Sequence, residues 1–117
     1  MQGSFLRFYV HEGRRHRHYA VWEWLLIHAN KLDIRGGSAF RAMQGFGRHH
    51  QLTEAKPLEF GGSAVIEIEF IVTNDEAQKL FNLIHGERIS LFYAQIPARF
   101  GVIDVHEFDP PVITSDG

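Results

Sequence analysis

Residues 63–72 read SAVIEIEFIV. Ile66, Ile68, Phe70 and Val72 alternate with Val65, Glu67, Glu69 and Ile71, the two-residue period of a strand with one face in a core and one face outside it. Upstream, SFLRFYV (4–10) sets Leu6, Phe8 and Val10 against Phe5, Arg7 and Tyr9 in the same way. Between them the period changes. From Tyr19 to Leu32 the residues Trp22, Leu25, Leu26 and Ala29 fall at i, i+3, i+4 and i+7, the stripe of an amphipathic helix, and Gly36 or Gly37 supplies the turn behind it. SAFRAMQG (38–45) reads as a second strand and residues 46–60 as a polar loop. After the third strand, Thr73 or Asn74 caps a second helix with Asp75 and Glu76 in its first turn. Its stripe is Ala77, Leu80, Phe81 and Ile84, and Gly86 ends it. RISLFYAQI (88–96) is the fourth strand, closed by Pro97.

The order β-α-β-β-α-β predicts an α+β fold, a ferredoxin-like sandwich with both helices on one face of a sheet ordered 4-1-3-2. The third strand then lies between the first and the second. Glu67 and Glu69 would sit between Arg7 and Arg41, and cross-strand charge pairing accounts for all four. The same uncovered face carries Phe5, Tyr9, Met43, Val65 and Ile71. It is too apolar to stand in water as one patch, so oligomerisation is expected to bury it.

The 117 residues fit one small domain, residues 1–103, followed by an acidic tail at 104–117. No apolar run is long enough to span a membrane, and no signal peptide is recognisable. The chain has no cysteine, which excludes disulfides and thiolate chemistry and suits a cytoplasmic protein. The net charge of −2 hides an asymmetry. Residues 1–56 hold nine Lys/Arg against four Asp/Glu, and residues 57–117 three against ten. An anion site should draw on the first part, while the overall acidity argues against nucleic acid.

GFGRHH (45–50) offers glycines that admit positive φ and close approach of a ligand to backbone amides. It is neither a Walker loop nor a Rossmann fingerprint, since it follows a strand and opens no helix. Arg48 can pair a phosphate or carboxylate; a solvated loop arginine is the plain alternative. RRHRH (14–18) precedes the first helix, and the topology brings it to the same sheet edge as GFGR, so Arg14 and Arg15 are candidate anion ligands. His16, His18, His49 and His50 at that edge are the candidate metal ligands, but adjacent histidines rarely share one ion. No G-x-S-x-G elbow occurs and arginines account for the paired glutamates, so no catalytic residue is assigned and the chain is not expected to be an enzyme.

EWLL (23–26), DIRGG (33–37), GFGRHH (45–50) and LFYAQIPARFGV (91–102), in this order, resemble the PII-like family catalogued as domain of unknown function 190. GFGR followed by a polar loop and TE is also similar to the start of the T-loop in PII nitrogen-signalling proteins. The resemblance covers roughly residues 1–103. It implies a homotrimer with the sheets facing one another and an adenine nucleotide (AMP, ADP or ATP) in the inter-subunit cleft, with no metal required. It also implies a T-loop-like segment at 46–57 that docks on a protein partner such as a membrane transporter. By that match Gly45, Phe46, Gly47 and Arg48 stand at the loop base beside the pocket. The chain departs from PII in the connection HGERIS, whose one cation is Arg88, and in keeping Arg99 alone near the end of the last strand. These departures favour a smaller adenine nucleotide or another anion over ATP with magnesium. The alternative function is a trimeric metal-binding or metal-tolerance protein of the same fold using the loop histidines.

Overall fold

The structure, a computed structural model, describes residues 1–46, 53–54 and 64–106. In chain order the elements are β1 (Gln2–His11), β2 (Arg15–His16), β3 (Tyr19–Ala20), α1 (Val21–Lys31), β4 (Gly37–Arg41), β5 (Gln44–Gly45), β6 (Thr53–Glu54), β7 (Val65–Thr73), α2 (Asn74–Gly86) and β8 (Phe92–Arg99). The main sheet is antiparallel in the order β4-β7-β1-β8, which is the order expected from the sequence. The 107–117 part of the tail and the 47–52 and 55–63 parts of the loop lie outside the described residues.

Alternation on the two central strands decides what the sheet buries. Leu6 pairs with Phe70, Phe8 with Ile68 and Val10 with Ile66, and all six are buried. Each such side chain contributes roughly 1.5–3 kcal/mol on leaving water. Both helices close over this face. α1 lays Val21, Trp24, Leu25 and Ala29 on it and α2 lays Ala77, Leu80 and Ile84. The stripe of α1 is therefore rotated from the expected one: Trp24 is buried, while Trp22 and Leu26 pack at the margin. The helix also begins two residues later, because Tyr19 and Ala20 pair with His16 and Arg15 in a small hairpin.

Thr73 is the cap of α2. Its hydroxyl accepts from the Glu76 amide at 3.2 Å and its own amide donates to the Glu76 carboxylate at 2.8 Å, a complete capping box. Behind both helices the left-handed turn falls on a non-glycine residue. Asp33 (φ 64) and Arg88 (φ 58) take the left-handed conformation, and Ile34 and Ile89 donate back to Ala29 and Ile84. These are Schellman endings without the usual glycine: α2 ends at Gly86 as expected but with Arg88 as its left-handed residue, and neither Gly36 nor Gly37 ends α1. Gly37 has another reason to be glycine: a Cβ there would collide with the Phe70 ring.

Three strand expectations change. Pro97 does not close β8, which continues to Arg99 on the sheet edge, where one row of amides needs no partner. The second strand breaks after Arg41, and Gln44–Gly45 instead pairs with Thr53–Glu54. Arg41 also lies on the other side of the sheet. It stands opposite buried Ile66, whereas Ser38 and Phe40 stand opposite Glu69 and Glu67. Arg41 binds Glu12 at 3.0 Å instead, and Phe40 takes the place on the open face expected for Arg41.

Candidate functional site

β1 and β4 both run antiparallel to β7, so both end at one edge of the sheet. The first loop and the Gly45–Phe46 turn meet there, as expected. The edge is fastened by named bonds. Glu12 accepts from Arg41 through both Nε and Nη2 at 3.1 and 3.0 Å, and its amide donates to the Ala64 carbonyl at 2.8 Å. Arg14 donates from Nη1 to the Ser90 carbonyl, which ties the first loop to the connection between α2 and β8.

These elements surround a cleft of about 980 Å³ lined by Tyr9, His11, Arg14, Phe46, Val65, Ser90 and Phe92 among others. Tyr9 and Phe92 form a tilted ring pair with centroids 5.8 Å apart. Tyr9, Val65, Phe92 and Ala94 share the uncovered sheet face, so the cleft opens onto that face. Among the described residues its equipment is the Tyr9 and Phe92 rings, the exposed Phe46, His11 and the Arg14 guanidinium. Such a set can hold a planar ring by stacking and an anion by charge.

Of the residues singled out in the sequence, Arg14 and Phe46 line this cleft and Gly45 precedes Phe46 in β5. Arg15 does not reach it. Its Nη2 donates to the His18 carbonyl at 2.8 Å and closes the β2–β3 hairpin. Gly47, Arg48, His49 and His50 lie outside the described residues. Tyr9 and Phe92 went unassigned in the sequence because nothing along the chain shows that the end of β1 and the start of β8 coincide. Register alone brings them together.

The candidate metal ligand His16 has other work. Its Nε2 lies 3.2 Å from the Glu87 carboxylate, and Arg17 reaches the same oxygen at 3.0 Å. The hydrogen bond from Arg17 and then that from His16 hold the Glu87 carboxyl below the usual carboxylate range. The His16 ring packs edge-on to Trp24, and the His28 ring also stacks on that indole, with centroids 4.4 Å apart. Burial first, and the Lys31 charge second, push His28 below its ordinary value. This cluster clamps the hairpin to both helices. Among the described residues no group of three His, Asp or Glu is placed to hold a metal ion, and no helix is long and apolar enough to cross a membrane.

The fold recurs in solved structures. A candidate PII-like signalling protein from Thermus thermophilus superposes with a TM-score of 0.54 at 14% identity, over 83% of this chain and 91% of that one. CPII from Thiomonas intermedia, bound to ADP and bicarbonate, gives 0.53 at 19% identity, over 84% and 89%. A second CPII structure, bound to ADP, AMP and bicarbonate, gives 0.50 at 18% identity, again over 84% and 89%. No curated protein matches the sequence. The family model described as Uncharacterized ACR matches residues 3–89, and the chain belongs to that family, domain of unknown function 190.

Proposed function

We propose that the protein is a PII-like regulator that assembles as a homotrimer through its open sheet faces and binds an adenine nucleotide in the cleft at the loop edge. The observation that carries this is the cleft itself: the Tyr9–Phe92 ring pair, Phe46 and Arg14 converge at the edge from which the 46–57 loop departs. The nucleotide complexes of CPII, which has the same fold, support the choice of ligand. In this reading the base stacks on the ring pair and the phosphates approach Arg14, while a second copy laid on the open face walls the cleft. Among the described residues Arg14 is the guanidinium that lines the cleft. The role is binding and signalling to a protein partner, with a membrane transporter as one class, rather than catalysis.

Thermal unfolding against AMP, ADP and ATP tests the reading. A ligand at a hundred times its dissociation constant adds about 2.7 kcal/mol, so a clear rise in melting temperature is expected. Arg14→Ala and Phe92→Ala should reduce it. No rise with any of the three at millimolar concentration would remove the nucleotide.

A further inference from the structure

The uncovered face carries an unbalanced set of charges. Arg7 Nε stands 3.4 Å from Glu67 and 3.5 Å from Glu69, and its guanidinium lies over the Phe5 ring at 4.7 Å. One cation thus serves two carboxylates. Register sets what stands across from them. Glu69 faces Arg7 on β1 and Ser38 on β4, Glu67 faces Tyr9 and Phe40, and Arg7 faces Ala94 on β8. Arg35 lines the cleft that Glu69 borders, at the rim of the face. Arg41, the second cation expected here, belongs to the opposite side.

Around the cluster the face is apolar and exposed: Phe40, Ile71, Phe92 and Ile96 are each 44% accessible or more. Within it, Arg7 Nε and Glu67 Oε1 are buried against each other, an ion pair at 3.4 Å without a hydrogen bond. A second copy brings the same three groups, Arg7, Glu67 and Glu69, to the face, so among them one carboxylate stays in surplus, with Arg35 the further described cation at the rim. Removing a surplus carboxylate from water is costly, and the group neutralises instead.

We infer that association of copies through this face takes up a proton on the Glu67–Glu69 pair, so that the assembly tightens as pH falls. The inference rests on the self-association part of the proposed function. The state of the protomer agrees with it: burial, and next the hydrogen bond that a protonated Glu69 donates to Glu67, already raise the Glu69 carboxyl above its ordinary value. Packing against a second copy adds to the first of these causes.

The experiment is subunit exchange and association read by energy transfer. Because the chain has no cysteine, a single Lys79→Cys on the exposed side of α2 takes the dyes. From about pH 8 to about pH 5.5, the wild type should exchange more slowly and associate more tightly, by up to about tenfold per pH unit for each proton bound. Glu69→Gln, which keeps the shape and removes the charge, should lose that dependence and associate at the upper pH as tightly as the wild type does at the lower. Glu67→Gln is the second variant if circular dichroism shows the first unfolded. An assembly whose affinity ignores pH, or a glutamine variant that keeps the wild-type dependence, overturns the proton linkage while leaving self-association intact. A monomer at every pH and concentration overturns both.

Discussion

Single residues show where the chain departs from its easiest solution. Arg88 takes φ 58 at the end of α2, a conformation that costs a non-glycine residue about 1–2 kcal/mol. Glycine removes that cost but adds entropy to the unfolded chain, about 0.4–1 kcal/mol. Arg88→Gly should therefore stabilise the protein by about 0.5–1 kcal/mol in urea unfolding. Asp33→Gly should gain less, because aspartate tolerates this region better. Gly3 is the opposite case. A Cβ there would strike the Val72 carbonyl, and Gly3→Ala should destabilise by about 2 kcal/mol or more. Glu87 gives a pH signature. Its carboxyl is held below the ordinary value by Arg17 and His16, so the contribution is present above the unfolded carboxylate range and is lost as pH falls through the folded value. Glu87→Gln should lower the melting temperature near neutrality, and the gap should close in acid. A gap of constant size from neutral to strongly acid pH would sink this account.

At the scale of elements, the two helices differ in how they begin. α2 opens on the Thr73–Glu76 box, so Thr73→Ala should cost about 1 kcal/mol. α1 opens at Ala20, which has extended backbone and no side-chain cap, so Ala20→Asp should gain about 1 kcal/mol by the same measure; chemical denaturation reads both. The elements that the sequence displayed most clearly were those with one strict period. Alternation on residues 4–10 and 63–72 identified the faces of β1 and β7, and two βαβ units were enough to order the sheet. Elements whose shape depends on partners were less legible. β4 is short, and its parity is set by the pairing of Ala39 with Ile68, which no local pattern reveals. Assigning Arg41 to the open face was the result. The stripe of α1 was misread because Trp22 and Trp24 are both large and apolar, and only the packed sheet selects Trp24. The cleft was half legible: Arg14 and Phe46 belong to loops rich in charge and glycine, but Tyr9 and Phe92 look like ordinary strand residues until register joins them.

At the scale of the molecule, the open face and the cleft are one surface. Phe92 belongs to both, so in the proposed assembly an apolar interface residue would also wall the proposed ligand site. Substituting Phe40 and Ile96, which are 51% and 46% accessible, tests the assembly without touching that wall. Phe40→Asp with Ile96→Asp should give a folded monomer by light scattering and circular dichroism, and nucleotide protection should fall with it. The sheet order has a further consequence, for synthesis. β1 is made before the other strands of its sheet, yet it lies between β7 and β8, the two made last. Until residues 65–99 have emerged, Leu6, Phe8 and Val10 have no strand to pair with. Such long-range closure slows folding and prolongs exposure of apolar surface. The nascent chain therefore carries its stickiest segment unshielded through most of the domain's translation, which makes β1 the natural point of early chaperone contact.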